Sequence, residues 1–116
     1  MKLERVFAMK FGSVYPLYLK KVESKGRTQQ ELNEVIHWLT GYDENGLNQV
    51  IKNQIDFQTF FDQAPAFNPL SAKITGVICG YRVEEIEHPL MQKIRYLDKI
   101  IDELAKGKSM DKILRK

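Results

Sequence analysis

The sequence predicts an all-α fold, a single compact bundle of about six helices with an extended N-terminal arm, spanning residues 1–116 as one domain. Three observations predict it. Leu90, Ile94, Leu97, Ile101 and Leu104 recur at spacings of four, three, four and three, which places them on one stripe of a 3.6-residue helix. Helix-starting residues recur ahead of apolar-periodic segments, at Ser13, Thr28, Asp43, Asp56 and Asn68. Finally, the alternating segment over residues 3–11, with Phe7, Met9 and Phe11, has no second strand candidate to pair with. It reads as an arm laid across the helices.

The first helix follows Ser13 as N-cap, carries Tyr15, Tyr18, Leu19 and Val22 on one face, tolerates Pro16 in its first turn and closes at Gly26. Thr28-Gln29-Gln30-Glu31 has the capping-box pattern, so the second helix starts at Gln29. It presents Leu32, Val35, Ile36 and Leu39 to the core and ends at Gly41. Asp43 caps a third helix bearing Leu47, Val50, Ile51 and Ile55, and Asp56 caps a short fourth one bearing Phe57, Phe60 and Phe61. Asn68-Pro69 launches a fifth helix, Pro69 to Cys79, whose lack of charge apart from Lys73 predicts burial. One helical turn is expected between Tyr81 and His88. The long sixth helix follows, from Pro89 to Lys106, with Met91 and Ile100 flanking its stripe. Its other side, with Arg95, Tyr96, Asp98, Lys99, Asp102 and Glu103, reads as solvated. Gly107 ends it, and Ser109 caps a last turn through Ile113 and Leu114.

At 116 residues and 43% hydrophobic composition the chain can bury a core without staples. The net charge is +3, and its origin is local. Lys106, Lys108, Lys112, Arg115 and Lys116 stand against Asp111 alone, a net of +4 in the tail. The single cysteine, Cys79, has no internal disulfide partner, which fits a reducing cytoplasm. No apolar run reaches the roughly 20 residues of a membrane span. The first residues, Met1 to Arg5, lack the apolar segment of a signal peptide, so a cytoplasmic location is expected.

Few residue patterns carry chemistry. Glu34-Val35-Ile36-His37 and Glu85-Ile86-Glu87-His88 match the Glu-x-x-His half of a di-iron carboxylate site. Glu34 and His37 lie opposite the apolar face of their helix, and His88 precedes a proline, so no metal is expected there. Gly80 to Ile86 has the outline of a helix-turn-helix turn, but Glu84, Glu85 and Glu87 would repel phosphates. Cys79 reads as a buried, inert thiol. The loop from Gly41 to Gly46 lacks the acidic ligands of an EF-hand.

Ser13 to Tyr18, Trp38-Leu39-Thr40-Gly41-Tyr42-Asp43, Ile74 to Gly80, Arg82 to Glu87 and Ile94 to Lys99 together make the chain similar to a bacterial family filed as domain of unknown function 2200. The resemblance runs over nearly the whole chain. It implies a small, single-domain bacterial protein and carries no catalytic residue; where the family often has an Asp before the proline, this chain has His88, which further weakens a metal role.

The functional expectation is therefore a protein-interaction or small regulatory module with an unidentified protein partner, as a monomer or homodimer, with no cofactor and more binding than enzymatic in character. The alternative is a small enzyme or ligand binder whose pocket gathers Trp38, Tyr42, Asp43, Tyr81, Arg82 and Glu85. Weak nucleic-acid binding through the basic tail ranks third.

Overall fold

Caps written in the sequence set most of the helix boundaries. The Thr28 hydroxyl accepts from the Glu31 amide at 3.1 Å, and the Glu31 carboxylate accepts from the Thr28 amide at 3.0 Å, so the capping box forms as its pattern requires. Asp43 accepts from the Gly46 amide at 2.7 Å and Asp56 from the Thr59 amide at 2.8 Å. The computed structural model describes residues 3–116. In chain order it contains α1 (Leu3–Ala8), α2 (Phe11–Glu23), α3 (Gln29–Thr40), α4 (Glu44–Lys52), α5 (Phe57–Asp62), a 3₁₀ turn (Pro69–Lys73), a hairpin of β1 (Val77–Ile78) and β2 (Tyr81–Arg82), a second 3₁₀ turn (Val83–Glu85), α6 (Pro89–Ala105) and α7 (Met110–Ile113). The fold is mostly α and compact, with a radius of gyration of 13.2 Å.

The centre is α6, against which α2 and α3 pack while also packing on each other. Leu97, Ile100 and Leu104 of α6 are fully buried together with Leu32, Ile36 and Leu39 of α3. A second part of the core is aromatic. Phe60 lies between Phe11, stacked at 4.2 Å between centroids, and Tyr42, stacked at 4.7 Å. The Tyr42 hydroxyl donates to the Phe60 carbonyl at 2.7 Å, which satisfies its polar tip inside the core.

Three stretches differ from expectation. Residues 3–11 form no extended arm: Leu3–Ala8 is helical and Phe11 opens α2. Val6 and Phe7, neighbours in sequence, are both half-buried while Met9 is exposed, which a strand's strict alternation would not give. The chain is extended only at the joint, where the Phe11 amide donates to the Ile55 carbonyl and the Phe57 amide to that of Met9. Helix α2 therefore begins two residues before Ser13, with Lys10 at its N-cap and no side-chain cap. Pro16 consequently sits inside the helix rather than in its first turn.

The buried fifth helix is absent from the structure. Pro69–Lys73 makes a single 3₁₀ turn, capped by Asn68, and the chain then extends into the hairpin. Gly76 and Gly80 have φ of +109° and +83°, and Cys79 has φ of +53°. Two successive residues with positive φ, Cys79 and Gly80, make the two-residue turn that suits the twist of a hairpin. Ile74, Thr75, Val77 and Ile78 are all β-branched, and stiff side chains of that kind favour extended backbone over helix.

The third difference concerns the polar side of α6. Tyr96, Asp102 and Glu103 are buried, and Arg95, Asp98 and Lys99 are half-buried. The hairpin covers one part of this side and the C-terminal segment another. Each buried charge has partners. Asp102 receives Lys21 at 3.1 Å and Lys106 at 3.0 Å, and Glu103 receives Arg115 at 2.7 Å and Lys108 at 3.3 Å. Burial alone would raise both carboxyls, but bonds from Lys106 and Lys21 to Asp102, and from Arg115 and Lys108 to Glu103, outweigh it and hold both below the ordinary carboxylate range.

Candidate functional site

The hairpin and the start of α6 enclose a cleft of about 540 Å³. Local chemistry fixes its walls. The Val83 side chain is fully buried, and its carbonyl accepts from Gln92 Nε2 at 3.1 Å, so the second 3₁₀ turn is pinned to the first turns of α6. The hairpin's other side is tied by the Val83 amide to the Gly76 carbonyl at 2.9 Å, and by the Gly76 amide to the Glu84 carboxylate at 3.1 Å. A Cβ at Gly76 would lie 3.2 Å from Lys99 Cε, so the missing side chain lets the hairpin lie close on α6. Pro89 then starts α6 in the conformation its ring favours.

Into the cleft face Gly80, Tyr81 and Arg82 from the hairpin, Glu85, Ile86 and His88 from the connection, and Met91 and Arg95 from α6. Arg95 is the best-fixed polar group. Its Nη1 donates to Asp98 Oδ2 at 2.9 Å and to Cys79 Sγ at 3.1 Å. Asp98 Oδ1 accepts in turn from the Tyr18 hydroxyl at 2.7 Å. Burial, reinforced by the Asp98 charge and hydrogen bond, pushes the Tyr18 hydroxyl well above the ordinary tyrosine range, so it stays a donor. A chain of polar contacts thus runs from the core at Tyr18 through Asp98 and Arg95 to Cys79. Arg82 is exposed and meets Glu85 at 3.9 Å, and the His88 ring packs on Phe7 with centroids 5.0 Å apart.

Of the six residues expected to share a pocket, Tyr81, Arg82 and Glu85 line this cleft and Trp38, Tyr42 and Asp43 do not. Trp38 is half-buried on α3, where its carbonyl accepts from Asn68 Nδ2 at 3.0 Å. Tyr42 is in the aromatic core, and Asp43 is occupied as the cap of α4. The cleft contains Arg82 with one acid rather than the two expected. Arg95, read from the sequence as solvated, is half-buried in the cleft wall, and Met91 is buried in the core as its place beside the stripe implies while also lining the cleft. Cys79 is exposed at the hairpin turn rather than buried. Glu34 and His37 are exposed on α3, where His37 Nδ1 donates to the Tyr42 carbonyl at 3.0 Å.

A smaller hollow of about 330 Å³ is lined by Lys10, Gly12, Ser13, Ile51 and Gln54. It has no aromatic, acidic or histidine side chain to orient a ligand. Among the described residues, no helix is long and apolar enough to cross a membrane.

The fold is similar to that of an uncharacterized protein, SP1917, known from a crystal structure. The TM-score is 0.90 at 43% identity, covering 98% of this chain and 93% of that one. The family model described as "uncharacterized protein conserved in bacteria" (DUF2200) matches residues 5–115. No protein of curated function matches the chain.

Proposed function

We propose that this chain, which belongs to the DUF2200 family of bacterial proteins, is a binding module that takes up a small ligand in the cleft between the hairpin and α6. The observation that carries the reading is the convergence of Tyr81, Arg82, Glu85, His88 and Arg95 on one concavity of about 540 Å³. That volume lies in the range of roughly 300–1,000 Å³ typical of small-molecule sites, and its mix of apolar wall and few polar groups is the usual composition. Arg95 is braced by Asp98 and Tyr18, so one polar anchor is in place before a ligand arrives.

A second reading, an interaction module for a protein partner, draws on a different observation. Val77 and Tyr81 are 54% and 62% exposed on the same hairpin, more than such side chains usually are. A cytoplasmic location suits the unpaired thiol of Cys79. Nucleic-acid binding through the tail has less support than its charge suggests, because Lys106, Lys108 and Arg115 are paired with Asp102 and Glu103.

Proton–nitrogen correlation spectra recorded while a fragment library is titrated onto the whole chain test the proposal. Saturable shifts clustered on residues 80–95 are expected. Hits that map only to other faces, or an absence of hits, would refute it.

A further inference from the structure

We infer that the cleft's ligand carries an anionic group, a carboxylate or a phosphate, seated between Arg95 and Arg82, with an apolar or aromatic body against Tyr81 and Met91. The inference rests on the reading of the cleft as a binding site and adds the chemistry of what fills it.

Among the described residues, Arg95 Nε is the one buried side-chain polar atom with no hydrogen-bond partner. A guanidinium N–H shielded from water and left without an acceptor is costly, and native proteins seldom leave one so. The guanidinium cannot turn away to find a partner. Nη1 is held by Asp98 at 2.9 Å and by Cys79 at 3.1 Å, and the side chain is only 14% exposed. Nε is closed to solvent, so an anion in the cleft meets this guanidinium at Nη2, which none of the described residues holds, in a group whose plane is already set.

Arg82 and Arg95 are the two arginines lining the cleft, against Glu85 among its lining residues and Asp98 behind Arg95. Glu85 does not hold Arg82 firmly. Their separation is 3.9 Å, with the two side chains 63% and 70% exposed, and a pair so placed has little strength. Arg82 is therefore able to swing onto a ligand, while Arg95 waits in position. Planar carboxylates and tetrahedral phosphates both accept from guanidinium donors through short, charge-assisted bonds. The Tyr81 ring and the Met91 thioether supply apolar surface for the rest of the molecule.

The test uses four probes on the full chain: benzoate, phenyl phosphate, the neutral isostere benzamide, and inorganic phosphate. Dissociation constants come from the amide shifts of residues 80–95, with wild type, Arg82→Gln and Arg95→Lys compared. Arg95→Lys keeps the charge and removes the planar guanidinium with its Nη2 donor, and its fold is checked by the unchanged shifts of α3. We expect one aromatic anion to bind at least about 10-fold more tightly than benzamide, and either arginine substitution to remove about 10-fold of that affinity while leaving benzamide unchanged, in line with the strength of a charged hydrogen bond. Which of benzoate and phenyl phosphate binds more tightly assigns the head group, and inorganic phosphate binding more weakly than phenyl phosphate supports the apolar body. Benzamide binding as tightly as the anions, or anion affinity indifferent to both substitutions, overturns the inference and leaves the cleft a binding site. No probe reaching the cleft overturns both.

Discussion

Removing Arg115 should destabilise the protein by about 3 kcal/mol, although the residue is next to last in the chain. Its guanidinium holds Glu103 through two bonds, at 2.7 and 2.9 Å, and the two side chains are 14% and 8% exposed. Breaking a buried pair by deleting one partner costs about 3–5 kcal/mol, because the remaining charge is stranded. Lys108, at 3.3 Å from Glu103, stays in place and offsets part of this, which favours the low end. Release of α7 would let water reach Glu103, but that would expose Ile113, now fully buried, at a cost of about 1.5–3 kcal/mol. The two ranges meet at about 3 kcal/mol. Urea unfolding of wild type, Arg115→Ala and the double variant Glu103→Gln/Arg115→Ala measures it. The double variant should recover more than half of the loss, since a neutral amide strands no charge.

The same pair predicts a pH dependence. The Glu103 carboxyl is held below its ordinary value in the folded protein. Its contribution is then complete above the unfolded carboxylate value, about 4.3, and disappears as pH falls through the lower folded value. The gap between wild type and Arg115→Ala should shrink in acid. A gap under about 1 kcal/mol near pH 7, or one that acid leaves unchanged, would refute the reasoning that the tail neutralises a buried carboxylate.

Leu97→Ala should cost about 2–5 kcal/mol in urea melts, as a fully buried leucine of α6. Arg95→Ala should cost about 1–3 kcal/mol by the same measurement, more than a solvated arginine would, because it deprives the half-buried Asp98 of a partner. Gly41→Ala should lower stability by about 2 kcal/mol or more: φ is +83°, and the new Cβ would stand 2.7 Å from the Ala66 amide nitrogen, so strain and overlap add. Cys79 should react with a chromogenic disulfide reagent in native buffer, one thiol per chain, and a need for denaturant would contradict its exposure at the hairpin turn.

What could be read from the sequence was local. The capping box at Thr28 and Glu31, the caps at Asp43 and Asp56 and the αL glycine after α3 each act within a few residues, and each forms as its pattern requires. Membership of the family was legible for a similar reason, as runs of residues in a row. The hairpin was not legible because the nearly uncharged run from Pro69 to Cys79 reads as a buried helix. Gly76 and Gly80 take positive φ instead, and the β-branched residues around them favour extended backbone. The charged side of α6 looked solvated because its partners, Lys21, Arg115 and Lys108, are distant or fold back only after Gly107.

The candidate site divided along the same line. Tyr81, Arg82 and Glu85 come together because they lie within five residues at one turn. Tyr42 and Asp43 looked like pocket residues beside a helix end, but one completes the aromatic core and the other caps α4. Arg95 enters the cleft only once the hairpin is placed, and its unpartnered Nε has no signature in sequence.

The most direct test of the cleft as the working site is a thermal-shift screen of bacterial metabolites on two proteins in parallel, wild type and Arg82→Gln. Arg82 is 63% exposed, so its substitution should leave the unliganded melting temperature nearly unchanged. We predict that anionic metabolites with an apolar body raise the wild-type melting temperature and raise that of the variant clearly less. Equal stabilisation of both proteins would contradict the part given to Arg82, and no stabilisation of either by any metabolite would contradict the assignment of function to the cleft.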